Sequence, residues 1–160
     1  MRIYFAGDHA GFELKEKLME FVRSLGHEVF DLGPKTYDEA DDYPDFCAEA
    51  AKAVAADHDA RGIIIGGSGQ GEAMVANRFR GVRAAVYYGS PRSDLGSGKR
   101  SDLDIIKLSR EHNDSNVLAI GARFASEAEA KRALTLWLDT SFSGEARHAR
   151  RLQKIDELNH

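Results

Sequence analysis

Short apolar runs alternate with longer segments of helical period, and that alternation limits the folds open to this chain. Residues 2–7 (RIYFAG) read as a first strand. Residues 11–25 follow as an amphipathic helix, with Phe12, Leu14, Leu18, Phe21, Val22 and Leu25 near helical spacing and Gly26 as its stop. HEVFDLG is a second strand, and an alanine-rich helix over about 43–57 carries Pro44 in its first turn. GIIIG is a third strand, followed by a helix over about 69–79; VRAAVYY and NVLAIGA are the fourth and fifth strands. A helix over 126–139 opens on a capping box from Ser126 to Glu129. A charged helix over 144–158 follows, with Leu152, Ile155 and Leu158 as a thin apolar stripe.

This order predicts a single α/β domain over 1–160, with a five-stranded parallel sheet covered by helices on both faces. One hundred and sixty residues suit one substantial core. The irregular stretch from residue 88 to about 105 has the Gly, Ser, Pro and charge content of an exposed loop, either a lid or plain disorder.

Charge and composition exclude several functions. Lys and Arg total 22 against 26 Asp and Glu, which argues against a general nucleic-acid surface. No apolar run reaches the length of a membrane span, and the start of the chain does not look like a secretion signal. Cys47 is the one cysteine, so neither an internal disulfide nor a cysteine-rich metal site is expected. The expected setting is cytoplasmic.

The stretch GGSGQGEAM, residues 66–74, concentrates the chemistry. In open α/β sheets ligands bind beyond the carboxyl ends of the strands, and this glycine loop lies there, running into a helix N-terminus. Its N–H groups and the helix dipole favour an oxygen anion. A P-loop would need Gly-Lys-Ser/Thr where the chain has Gly-Glu, and the dinucleotide fingerprint would follow the first strand. The alternative is a tight structural turn with Glu72 merely favourable in a first helical turn. Asp8 and His9 end the first strand at the same edge, and Arg123 follows the fifth. Arg147 and Arg151, four apart, share one helix face and suit a phosphate clamp, or else form a solvated charged face. His112 precedes the fifth strand and so belongs to the opposite edge. It would serve a neighbouring chain's site rather than its own, and the thin stripe on the last helix also suits a partner.

Five motifs carry a resemblance: GDHAGFELK, DYPDF at 42–46, GGSGQGEAMVANRFRGVRAAV, SREHNDSNVLAIGAR and RHARR at 147–151. Together they resemble the type B ribose-5-phosphate isomerases, a family that also includes galactose-6-phosphate isomerase. The resemblance implies a Rossmann-like three-layer sandwich, a homodimer with shared sites whose C-terminal helix reaches the partner, either as such or paired into a tetramer, and aldose–ketose isomerisation without metal or cofactor. One subgroup of the family takes the C2 proton with a cysteine at the position of Gly66; the other uses a glutamate at the position of Glu72. By that resemblance Glu72 is the base, and Ser68 with the amides around Gly67, Gly69 and Gly71 holds the enediolate. His112 opens the sugar ring, Asp8 steers the ring oxygens, and Asn113 and Tyr43 line the substrate. His9, Arg147 and Arg151 hold the phosphate, with Arg123 assisting.

Two points stay open at this level. The helix N-terminus lowers the Glu72 pKa whereas desolvation raises it. The 88–105 loop, longer than in most relatives, leaves ribose 5-phosphate as first choice beside erythrose, allose or galactose phosphates. A phosphosugar-binding module is the non-enzymatic alternative, but it would have no use for Glu72, Ser68 and His112 together.

Overall fold

The computed structural model describes residues 1–89 and 102–158. Its elements run β1 (Arg2–Gly7), α1 (Phe12–Ser24), β2 (Glu28–Asp31), α2 (Tyr43–Ala56), β3 (Arg61–Gly66), α3 (Gln70–Ala76), β4 (Ala84–Tyr87), α4 (Asp102–Glu111), β5 (Val117–Gly121), α5 (Glu127–Asp139) and α6 (Ala146–Asp156). All strand pairings are parallel, in the order β2-β1-β3-β5-β4. The chain leaves β1 toward one edge and returns to the other side of it. The resulting switch point between β1 and β3 opens a crevice at their carboxyl ends.

Side chains alternate across the sheet with the period of two that extended backbone requires. Ile3, Phe5, Ile63, Ile65, Leu118 and Ile120 face α1, α4 and α5, where they pack with Leu18, Val22, Ile106, Leu134 and Trp137. Ala6, Ile64, Val117 and Ala119 face α2 and α3, meeting Cys47, Ala50, Ala51, Ala73 and Ala76. Alanines thus recur on both sides of this second face. Small facing side chains bring α3, and Glu72 with it, close against the sheet.

Two boundaries differ from the sequence expectation. The helix expected over 69–79 ends at Ala76, because Asn77 leaves it to pair with the edge strand. Its Nδ2 donates to the Ala84 carbonyl at 3.1 Å, and its Oδ1 accepts from the Ala84 N–H at 2.8 Å. Helix α4 begins inside the stretch expected as loop, while residues 90–101 of that loop lie outside the described residues. The capping box on α5 forms as read: Ser126 accepts from the Glu129 N–H, and Glu129 accepts from the Ser126 N–H at 2.9 Å.

Polar groups at the amino edge of the sheet are tied together. The Trp137 Nε1–H donates to Ser115 Oγ at 2.8 Å. The buried Arg110 guanidinium donates to Asp114 Oδ1 and to the Ser115 and Thr140 carbonyls. Arg83 pairs with the other oxygen of Asp114 at 2.7 Å. This network fixes the turn that leads into β5.

The alanine face carries a test. Ala119→Leu inserts three carbons where α3 meets β5, and overpacking of this kind costs about 1–3 kcal/mol. Urea unfolding should show that loss, whereas Ala128→Leu on the exposed side of α5 should leave stability nearly unchanged.

Candidate active site

At the switch point, β1 ends in Asp8 and turns at once. The Asp8 Oδ1 accepts the Gly11 N–H at 3.0 Å. Gly11 passes so close to the Ile65 carbonyl that a Cβ there would collide with backbone. His9 follows, half-buried, and Asp41 holds it twice. Asp41 Oδ1 accepts the His9 backbone N–H at 3.0 Å and lies 2.7 Å from its Nδ1. That hydrogen bond raises the His9 pKa above its ordinary value, with help from the charges on Asp8 and Asp41 and against desolvation and Arg123. The ring is thereby disposed to carry a positive charge.

The glycine loop connects β3 to α3. Its carbonyls turn toward the strand beside it: Gly66 O accepts from the Ala122 N–H at 2.8 Å and Gly67 O from the Arg123 N–H at 3.2 Å. Gly69, the residue before α3, takes φ of 77°, a conformation that a side chain would strain. The Arg123 guanidinium lies over Gly67, 3.3 Å from where a Cβ would stand. Tyr43, at the start of α2, lays its ring against Gly71, with the hydroxyl 2.7 Å from a Cβ position there. Ser68 Oγ accepts the Gln70 N–H at 3.3 Å.

Glu72 sits in the first turn of α3, 4% exposed, and its Oε2 makes no hydrogen bond within the chain. A Cβ on Gly66 would fall inside its carboxylate. The competition left open by the sequence resolves in favour of burial. Desolvation raises the Glu72 pKa, the Asp8 charge adds to it, and the N–H groups of Glu72 and Gly69 only partly offset the rise.

Nine of the residues singled out from sequence therefore gather at one edge: Asp8, His9, Tyr43, Gly67, Ser68, Gly69, Gly71, Glu72 and Arg123. The other four do not join them. His112 and Asn113 follow α4, at the amino end of β5. Arg147 and Arg151 are exposed on α6, which is held at that same end through the contact of His148 with His112. A five-residue strand separates the two groups by about 16 Å.

Sequence reasoning passed over two residues. Asp41 stands just outside the DYPDF motif, and only its contact with His9 distinguishes it from the acidic residues around it. His148 lies inside RHARR but is buried, whereas Arg147 and Arg151 are exposed. Among the described residues no cluster of three or more His, Cys, Asp or Glu suits a metal ion, and no helix is long and apolar enough to cross a membrane.

Comparison with known proteins agrees over the whole length. The family model described as Ribose/Galactose Isomerase matches residues 3–155. Ribose-5-phosphate isomerase B of Mycolicibacterium paratuberculosis is 38% identical over 157 residues, covering 98% of this chain and 91% of the relative. The crystal structure of ribose-5-phosphate isomerase B from Mycoplasma genitalium with bound ribulose-5-phosphate superposes with a TM-score of 0.87 at 34% identity, over 98% of this chain and 95% of that one. The Clostridium thermocellum ribose-5-phosphate isomerase B structure gives 0.85 at 38% identity, over 99% and 97%.

The buried carboxyl of Glu72 predicts a stability signature. Because its folded pKa is raised, folding favours the protonated form, and stability is lost as pH rises through that pKa. Glu72→Gln should therefore raise Tm at about pH 8 and leave it nearly unchanged near pH 3.5, where both side chains are neutral. Thermal unfolding across that range checks the sign.

Proposed function

The chain belongs to the ribose/galactose isomerase family, and from that premise we propose that it interconverts ribose 5-phosphate and ribulose 5-phosphate through an enediolate. The observation that carries this reading is the buried Glu72 carboxylate lodged beside an amide-lined loop at the switch point of the sheet. A base able to take a C–H proton and N–H donors able to hold the resulting oxyanion stand within one turn of helix.

Aldose–ketose exchange moves one proton between C2 and C1 and one between the two oxygens. Glu72 takes the C2 proton, which places negative charge on the C1 oxygen. Ser68 and the loop amides around Gly67, Gly69 and Gly71 stabilise that charge, the C2 hydroxyl proton passes to the C1 oxygen, and Glu72 returns the abstracted proton to C1 as the C2 carbonyl forms. A positioned base of this kind contributes roughly 10²–10⁴-fold. An oxyanion-hole donor contributes a further roughly 2.7–4 kcal/mol. Burial supports the assignment, because a carboxylate titrating above its ordinary range is a stronger base than one dissolved in water. Gly66 belongs to the same design: the space beside it holds the Glu72 carboxylate, so a side chain at 66 and a glutamate at 72 exclude one another.

The remaining roles follow from charge and position. His9, held by Asp41, and Arg123 supply positive charge at the crevice, while Tyr43 walls its side and Asp8 stands beneath it. Arg147 and Arg151 hold the phosphate, His112 opens the furanose and Asn113 contacts the sugar. These four act on the crevice of a second copy in a homodimer, because their own lies about a strand's length away. The exposed Ile155 and Leu158 on α6 give the partner an apolar surface to cover. The composition and the reaction class suit a cytoplasmic enzyme.

Proton exchange tests the base. Glu72→Gln should lower turnover by roughly 10²–10⁴-fold and stop C2 exchange with solvent, while sugar-phosphate binding stays close to wild type. Calorimetry and exchange into deuterated water separate the two; normal exchange in that variant refutes the mechanism. Subunit mixing tests the shared site. Glu72→Gln and His112→Asn should each be inactive alone, yet co-refolded they should recover about a quarter of wild-type activity, since half of the dimers then carry one intact site. No recovery would place His112 and Glu72 in one chain's site or His112 outside the reaction.

A further inference from the structure

The reading of α6 as a phosphate-binding helix leaves one of its residues without a role. His148 lies between Arg147 and Arg151 in sequence but is buried, 4% exposed. Its ring lies flat on the ring of His112, with centroids 4.1 Å apart and planes 11° from parallel. Its Nε2 makes no hydrogen bond and stands 3.9 Å from the nearest Glu145 oxygen, beyond bonding distance. Burial lowers the His148 pKa, and the neighbouring His112, Arg147 and Arg151 lower it further against Glu145. Stacked in this way, the His148 imidazole presents its flat face to His112.

The backbone holds both rings at this separation. The Ser143 N–H donates to the Glu111 carbonyl at 3.0 Å, and Arg110 Nε donates to the Thr140 carbonyl at 3.1 Å. The segment that leads into α6 is therefore pinned to the end of α4, from which His112 projects. One face of His112 is covered by His148, and the ring is only half-buried overall. Stacking restricts rotation about the Cβ–Cγ bond of His112.

We propose that His148 is a positioning residue for His112, holding its imidazole in the orientation used for sugar-ring opening and coupling it to the helix that bears Arg147 and Arg151. This inference rests on the ring-opening role given to His112 above. In that step the C1–O4 bond of the furanose breaks, the C1 hydroxyl loses a proton and O4 gains one. The imidazole is returned unchanged, so its contribution depends on where its nitrogens point. A stacked ring carried by α6 sets that direction from the phosphate-binding side.

The two substrates separate ring opening from enolisation. Ribose 5-phosphate closes a furanose through O4. In ribulose 5-phosphate the C5 oxygen carries the phosphate, so no such ring forms, and solvent deuterium entering C1 reports enolisation alone. His148→Ala should lower kcat for ribose 5-phosphate by roughly ten- to a hundredfold while leaving deuterium exchange into ribulose 5-phosphate within about twofold. His148→Phe, which keeps a flat ring, should recover most of the lost turnover. An equal loss in both reactions, no loss in either, or a Phe variant as poor as Ala would overturn the proposal. His112→Asn is the reference. If it turns over ribose 5-phosphate normally, the ring-opening role itself fails; if it shows the split between the two substrates and His148→Ala does not, only the positioning role fails.

Discussion

One exclusion of volume organises the candidate site: the Glu72 carboxylate occupies the space that any side chain at residue 66 would need. A buried charge is costly, and here N–H groups at the start of α3, rather than an ion pair, offset part of that cost. The strand must end in a glycine, α3 must begin within a few residues, and the helix must lie almost against the sheet. Ala73, Ala76 and Ala119 permit that approach. A larger side chain at any of them would lift α3 and withdraw the carboxylate from the crevice. The small-residue face of the sheet and the chemistry at its edge are in this sense one feature.

The same geometry sets two opposing influences on the acid. The start of a helix offers N–H groups that stabilise a carboxylate, and those of Glu72 and Gly69 do so here. Burial works against the charge and outweighs them, and Asp8 adds its own negative charge from the end of β1. Across the crevice the balance is reversed. Asp41 gives His9 a partner that favours its protonated form, and Arg123 lies over the loop. An acid inclined toward neutrality thus faces positive groups at the mouth of the same cleft. That polarity suits a substrate that is anionic at one end and acquires charge at the other during reaction.

Most of the fold was legible because its signals are local. Runs such as GIIIG and NVLAIGA leave no other assignment between turn residues, and Ser126 with Glu129 marks the start of α5 without tertiary help. Boundaries failed where a distant residue decides them, as when Asn77 leaves α3 to bond Ala84. The site divides the same way. Glycines before a lone acid announce themselves, and Glu72 was found for that reason. The strength of its burial was not legible, since it depends on α2 and β1 closing over it. Asp41 and His148 were missed because each acts on another side chain, His9 in one case and His112 in the other, through contacts that sequence spacing does not encode.

Distance argues further for a second copy. A pentose phosphate spans at most about 12 Å, eight bonds of roughly 1.5 Å from the C1 oxygen to a phosphate oxygen. The edge carrying Glu72 and the edge carrying His112 are about 16 Å apart, the length of β5. No single substrate touches both within one chain, so the proposed roles of Glu72 and Arg147 are compatible only if they belong to different protomers. The alternative is that Arg147 and Arg151 are a solvated face, which leaves His9 and Arg123 as the cations at the crevice. The stacked histidines weigh against that alternative. A purely solvated helix face has no need of a buried imidazole on its inner side, whereas a helix that must present two guanidinium groups and one neighbouring ring in fixed relation does.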